Sequence, residues 1–301
     1  MLSFKHTVFL EVAQLKSFTK ASQSLCVSQP AVSKHIKQLE QDYKTSLFER
    51  KGNTIALTHA GSLLVDALLQ AKTIENQLEF DISTYLDQYS AKGELKLGAS
   101  TTVALYIIPE VLSRFHQKHP HVKISLLNRN SENVLKALMD REIDLGIMEG
   151  KNKLSIVNSQ LFLTDEVIPV CSSSSILAKR PRLRIEDIIK QPIALRERGS
   201  GTLAAIKYAL AVHGIKLSDL DVSVRLSGTE ALKNFVLADE CIGFLPMRSV
   251  VKELDHGSLV RLYIEGVSIT RQFYFIQRHG DKNDGLSNAF IKFSKTHYNL
   301  K

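Results

Sequence analysis

The sequence predicts an α/β chain in three parts: an all-α winged helix-turn-helix head, one long helix, and two α/β lobes. Three observations carry this. Residues Phe18 to Lys37 read as two short helices around a tight turn. An apolar seam from Leu64 to Leu78 lies in a stretch with no Pro or Gly between residues 62 and 92. From Leu95 onward, apolar strand-like runs alternate with helical stretches, the order that builds a parallel sheet with helices on both faces. At 301 residues the chain is long enough for two or three domains.

The first helix is expected over Phe4 to Leu15, where Phe4, Val8, Phe9 and Val12 form one apolar face. Ser17 or Thr19 then caps a second helix whose packed face holds Ala21, Ser22 and Leu25, and Cys26-Val27 makes the turn. Ser28 suits the N-cap of a third helix, because its hydroxyl accepts from a backbone N–H left unpaired at the helix start. Pro30 falls in the first turn, where a missing N–H costs little. Val32, Ile36 and Leu39 face inward, which leaves Gln29, Ser33, Lys34 and Lys37 outward near the N-terminal end, as a helix in a DNA major groove requires. The third helix is expected to end near Asp42. Leu47 and Phe48 return to the core, Glu49 to Asn53 is a basic turn, and Thr54 to Leu57 a short strand. These form a wing whose Arg50 and Lys51 are placed to meet phosphates. The competing reading is an amphipathic helix pair with a solvated outer face, found also in proteins that never touch DNA.

The run from Ser17 to Gly61 resembles the winged helix-turn-helix of LysR-type transcriptional regulators. The matching residues are Ser17, Ala21, Leu25, Ser28-Gln29-Pro30-Ala31, Ser33, Ile36, Leu39-Glu40, Leu47-Phe48, Arg50, Leu57-Thr58 and Ala60-Gly61. Two departures stand out: Ser22 replaces a second Ala, and Tyr43-Lys44 replaces Leu-Gly, which removes a Gly from a helix C-terminus. The DNA-binding set that follows is Thr19, Ser28, Gln29, Pro30, Ala31, Ser33, Lys34, Lys37, Arg50 and Lys51.

Charge follows the same division. Residues 1–58 hold eight Lys/Arg against four Asp/Glu, and residues 59–90 one Lys against five acids, within a chain of net charge +8. A basic head before an acidic rod fits a DNA reader held by a segment that does not touch DNA. In the rod, Leu64, Ala67, Ala71, Ile74 and Leu78 alternate three- and four-residue steps, and Ile82, Tyr85 and Tyr89 continue after a stutter. A helix of this length, about 48 Å to residue 89, needs a partner for its seam, so a dimer is expected here. Ala91-Lys92-Gly93 breaks it.

Beyond the break, strands are expected at Leu95–Ala99, His121–Leu127 and Asp144–Met148. One helix is expected from Ser100 to His119 and another from Asn130 or Ser131 to Arg141. A new start follows with strands at Leu161–Cys171, Pro192–Arg196, Val222–Leu226, Ile242–Leu245, Leu259–Ile264 and Phe273–Gln277, and a last helix at Asn288–Tyr298. The resemblance implies a type 2 periplasmic-binding-protein-like clamshell that crosses between lobes near Leu163-Thr164 and Gly266-Val267. It divides the chain into a head (1–58), a linker and dimerisation helix (59–92) and an effector-binding domain (93–301). Lobe I would hold residues 93–162 and 268–301, and lobe II residues 163–267.

Three strand-to-helix turns carry hydroxyls and amides suited to an anion: Ser100-Thr101-Thr102, Asn130-Ser131, and Gly199-Ser200-Gly201-Thr202. Each alone is an ordinary N-cap. Their convergence on one cleft is implied by the family fold, which adds Met148, Glu149, Gly201 and Thr229 to the effector set. Arg196 or Arg198 adds charge to the last turn or is merely solvated.

Gly199 to Ala204 also matches G-x-G-x-x-A, with Asp219 and Asp221 about 20 residues on. This is the strongest enzyme-like signal, but Arg196-Glu197-Arg198 precedes it where an apolar strand belongs. There is no G-x-S-x-G, H-E-x-x-H or Walker A pattern. His116, His119 and His121 straddle Pro120 and make a poor metal face. Cys26, Cys171 and Cys241 have no metal-ligand spacing and read as small buried residues in a reducing compartment. The expected protein is a cytoplasmic regulator with no cofactor, not an enzyme. The partners implied are double-stranded promoter DNA, a small anionic or carboxylate effector, a second copy of the chain, a tetramer built from dimers, and RNA polymerase, with no membrane. The rival classes are a nucleotide-dependent enzyme and a solute-binding module fused to a protein-interaction head.

Overall fold

A computed structural model describes residues 2–51, 54–86, 92–150, 156–279 and 285–299. The chain divides into two units, Met1–Tyr85 and Leu86–Lys301, each described by itself.

In the first unit α1 (Phe4–Leu15), α2 (Phe18–Ser24) and α3 (Gln29–Tyr43) precede a two-stranded wing, β1 (Phe48–Lys51) and β2 (Thr54–Leu57), and a 28-residue helix, α4 (His59–Leu86). Local chemistry sets the boundaries. Ser17 accepts from the Lys20 amide at 3.2 Å and caps α2, while Thr19 lies inside that helix on its exposed side. Ser28 accepts from the Ala31 amide at 3.4 Å, with Pro30 in the first turn of α3. Val8, Phe9, Val12, Ala21, Val32, Ile36, Leu39 and Leu47 form the core, joined by Leu64 and Leu68 from the first turns of α4. Thr58 accepts from the Gly61 amide at 3.0 Å and donates to the Ser46 carbonyl at 2.7 Å. Gly61 is required by close approach: a Cβ there would sit 2.1 Å from the Leu47 carbonyl oxygen.

Two expectations change. Cys26 is exposed, not buried, because it occupies the left-handed position of the turn between α2 and α3 (φ 54°). Glu49 to Lys51 is strand rather than turn, with Arg50 opposite Ile55. Gly52, Asn53 and the Lys51 side chain lie outside the described residues, as do Tyr89, Ala91 and the Tyr85 side chain. The α3 C-cap keeps its left-handed geometry without glycine, since Lys44 adopts φ 53° and donates its amide to Gln41 and Glu40 carbonyls. A side chain pays steric strain there that glycine avoids. Lys44→Gly is therefore expected to stabilise the head by about 0.5–1 kcal/mol, read as a higher urea midpoint at unchanged slope.

At 1.5 Å per residue α4 is about 42 Å long. Its early seam residue Leu64 is buried in the head, whereas Ile74, Leu78 and Ile82 are 68%, 57% and 51% exposed.

The second unit begins with β3 (Gly93–Ser100), α5 (Thr101–Tyr106), α6 (Ile108–Lys118), β4 (Val122–Arg129), α7 (Ser131–Met139) and β5 (Leu145–Glu149). β4, β3 and β5 are parallel in that order. The single helix expected from Ser100 to His119 is two: Pro109 lies in the first turn of α6, and a proline ring and its missing N–H do not continue a helix. A 16-residue strand, β6 (Val157–Ser172), then leaves this lobe. The other lobe contains β7 (Arg182–Leu183), α8 (Ile185–Ile188), β8 (Ile193–Arg196), α9 (Gly201–Ala211), β9 (Val222–Leu226), α10 (Thr229–Ala238), β10 (Ile242–Pro246), α11 (Met247–Asp255), β11 (Leu259–Arg261) and β12 (Tyr263–Ile264). The chain returns through β13 (Ile269–Arg278) and ends in α12 (Gly285–His297).

β6 alternates its side chains between two cores, Val167 and Cys171 on one face, Ile168 and Val170 on the other. That two-sided burial is what a sheet covered by helices on both faces demands. β6 and β13 pair antiparallel along their length, Asp165 opposite Arg271 and Thr164 opposite Gln272. The second crossing thus lies in β13, while Gly266-Val267 is a turn before it. Among the described residues no helix is long and apolar enough to cross a membrane.

Candidate functional site

On the head, most of the groove-facing candidates are exposed. Ser28, Gln29, Pro30, Lys34 and Lys37 are exposed along α3, with Ala31 and Ser33 half-buried beside them; Thr19 on α2 and Arg50 on the wing are exposed too. The Gln29 amide donates to Ser33 Oγ at 3.1 Å, which holds both polar groups in place one helical turn apart. Lys5 pairs with Asp42, but among the described residues Lys34 and Lys37 have no acidic partner, so their charge is free for a polyanion.

In the second unit, three strand-to-helix turns do converge. Ser100, Thr101, Thr102, Asn130, Ser131, Glu149, Arg196, Ser200 and Gly201 line one narrow cleft between the lobes. Asn130 and Ser200 cap α7 and α9, accepting from the Asn133 and Leu203 amides. Ser100 precedes α5 but caps nothing: the residue is 2% exposed and its buried hydroxyl has no hydrogen-bond partner. A buried polar atom without a partner costs free energy unless something else satisfies it.

Arginine from two strands arms this cleft. Arg196, 2% exposed at the end of β8, donates to Thr229 Oγ1 at 2.9 Å, to Thr101 Oγ1 at 3.4 Å, and through two nitrogens to Glu197 at 2.8 and 3.0 Å. Burial tends to raise the Glu197 pKa, but hydrogen bonds and charge from Arg196 hold the carboxyl below its usual range. Arg271 on β13 reaches Glu149, Asp165, Thr102 and Thr202. Glu149 also accepts from Ser131 at 2.9 Å. Its side chain lies on Gly201, where a Cβ would come within 1.8 Å of Glu149 Cγ. Arg248 approaches Asp165 at 3.5 Å.

One of the sequence expectations fails here, and one open alternative is resolved. Met148 is 1% exposed and packs in the core with Val134 and Ile276, because the strand turns its neighbour Glu149 to the cleft instead. Arg198 is exposed, leaving Arg196 as the charge in the turn. Glu197, Asp165 and Arg271 are not in the expected set, and Arg196 stands there only as one of two alternatives. The turn of the G-x-G-x-x-A match holds the Glu149 side chain against Gly201. His119 is buried and its pKa is lowered, first by that burial and then by Lys118. Among the described residues no cluster of His, Cys, Asp or Glu is arranged to hold a metal ion. Cys171 and Cys241 are buried, and burial followed by Asp239 pushes the Cys241 thiol up to about 12.

A helix-turn-helix head with a free basic face, carried with a two-lobed α/β body around a polar cleft, defines a DNA-binding regulator with a small-molecule sensor. Comparison with known proteins agrees at both ends: residues 6–62 match the bacterial regulatory helix-turn-helix of the lysR family, and residues 89–299 the LysR substrate binding domain. The chain belongs to the LysR family of transcriptional regulators, whose members are regulators rather than enzymes. It is 30% identical over 96% of its length to the transcriptional activator CmpR of Synechocystis, covering 93% of that protein. It is 32% identical over 95% of its length to the transcriptional regulator YeiE of Escherichia coli, again covering 93%. Among solved structures, the Synechocystis CcmR regulatory domain in complex with 2-PG matches 68% of this chain and 96% of its own, at TM-score 0.61 and 25% identity. Full-length CbnR complexed with target DNA matches 98% and 99%, at TM-score 0.65 and 17% identity, a likeness of fold.

Proposed function

We propose that this LysR-type regulator reads a partly palindromic operator with two heads and that a small anion or carboxylate, held between the lobes, modulates that binding or the bending of the DNA. Lys34, Lys37, Arg50 and Lys51 supply salt-dependent affinity for phosphates. Gln29, Pro30 and Ser33 meet base edges or a thymine methyl, with Thr19, Ser28 and Ala31 flanking them. The seam of α4 joins two chains, and dimers pack into a tetramer that engages promoter DNA and RNA polymerase. Head, linker helix and effector domain are taken as 1–58, 59–92 and 93–301, which the two family matches support.

The effector reading rests on Ser100 above all. A buried, unpartnered hydroxyl beside Arg196, at a meeting of three helix starts, is what an incoming oxyanion satisfies. Around it the ligand set is Thr101, Thr102, Asn130, Ser131, Glu149, Ser200, Gly201, Thr202 and Thr229, with Arg196 now added. That the CcmR regulatory domain is seen with the small ligand 2-PG supports a ligand of this size. A ligand shifts the lobes only by its differential affinity for their two arrangements.

The test is a gel-shift titration on the upstream intergenic DNA, with and without 2-PG, inorganic sulfate or phosphate. The variant Ser100→Ala, which removes a hydroxyl with no partner in the protein, is expected to keep ligand-free DNA binding and lose the ligand-induced change. An unaltered ligand response in that variant overturns the cleft assignment.

A further inference from the structure

Arg271 has five N–H donors, and all five are taken. Nε and Nη2 donate to Asp165 Oδ2 at 3.0 and 2.7 Å. Nη1 donates to Glu149 Oε1 at 3.0 Å and to Thr202 Oγ1 at 2.7 Å. Nη2 also donates to Thr102 Oγ1 at 2.9 Å. The guanidinium offers five N–H groups in a fixed plane, so nothing is left over.

The acceptors have four origins. Asp165 stands opposite Arg271 on β6, the other crossing strand. Glu149 ends β5 and Thr102 begins α5, both in the first lobe; Thr202 begins α9, in the second. The set is complete only while the lobes keep this spacing. Parting them removes Thr202 from a donor that is 3% exposed and leaves a buried N–H unpaired. A second consequence is chemical. A hydroxyl carries one proton, and Thr102 and Thr202 both accept from Arg271. Each therefore keeps its own proton to donate elsewhere.

We propose that Arg271 is the positioning residue of the effector cleft. It sets the spacing of the lobes at the base of the cleft and fixes Thr102 and Thr202 as donors to the ligand. The second role rests on the effector reading above; the first stands without it. The competing account is that Arg271 only neutralises Asp165. In that case a lysine suffices, because it keeps the positive charge and loses only the planar fork.

The experiment measures the distance between spin labels on the two lobes of the full chain, with no ligand added. Labels go on Lys136→Cys in α7 and Lys190→Cys, both exposed positions, in a Cys26→Ser background. Labelled chain is diluted into unlabelled chain so that only distances within one chain are read. In the parent a single narrow distribution is expected. Arg271→Lys and, separately, Thr202→Val are each expected to add a longer-distance population. Arg271→Lys leaves Asp165 facing the lysine and Arg248, and Thr202→Val leaves the ion pair intact, so neither strands a buried charge. Distributions that superpose on the parent for both variants overturn the proposal. A change in Arg271→Lys alone shows that the Thr202 hydroxyl does not hold the lobes at this spacing, and overturns the proposal too. Because no ligand is present, failure of anion binding leaves this result untouched.

Discussion

With Ile74 and Leu78 both changed to lysine, the full-length chain is expected to sediment as a monomer and to lose about 10²- to 10⁴-fold in operator affinity. α4 has 28 residues, and only its first turns are claimed by the head, through Leu64 and Leu68. Ile74 is 68% exposed and Leu78 57%, with Ile82 at 51% one turn further. Isolated apolar residues on a surface are unremarkable, but these three recur at four-residue steps along one helix face. In the proposed dimer two such faces pack against each other, Ile74 and Leu78 within the alternating seam and Ile82 after its stutter. Lysine at two seam positions places four positive charges along a paired interface and removes its apolar contacts. DNA affinity follows because two heads on one operator bind as a linked pair, the second at high effective concentration. Sedimentation as an unchanged dimer would show that the seam is not what joins the chains.

The head was legible because its signals are local. Ser17, Ser28 and Pro30 act within one helical turn of their own positions, so caps and helix starts could be placed from neighbouring residues. The left-handed Lys44 shows where the rule is softer: geometry expected of glycine survives with lysine in it. Alternating strands and helices in the second unit were legible for the same reason. Pairing was not. Arg271 and Asp165 are 106 residues apart and meet only because β6 and β13 lie side by side. Arg196 looked out of place because a charge at a strand end breaks the apolar pattern. Its three hydrogen-bonding neighbours, Thr101, Thr229 and Glu197, are what make that burial tolerable. Met148 and Glu149 could not be sorted by alternation, since every residue of β5 is buried and the strand shows no polar face. The distinction lies in what each side meets, a hydrophobic core or the hydroxyl of Ser131.

Lys34→Ala is expected to weaken operator binding about tenfold or more, given roughly 1–3 kcal/mol per good contact. Lys34 is exposed on the outward face of α3, one position after Ser33, whose hydroxyl is held by Gln29. With no carboxylate beside it among the described residues, removing it frees nothing within the protein, so the loss measures contact with DNA. Lys5 is the control: it already pairs with Asp42, and Lys5→Ala is expected to change affinity little. Salt dependence then sorts the contact. A phosphate contact lowers the slope of log K against log salt by about one and weakens all sequences alike, whereas a base-edge contact leaves the slope and relaxes preference at one position. Binding isotherms that match the parent at every salt concentration would remove Lys34 from the DNA-reading face and leave Lys37 and Arg50 as its cations.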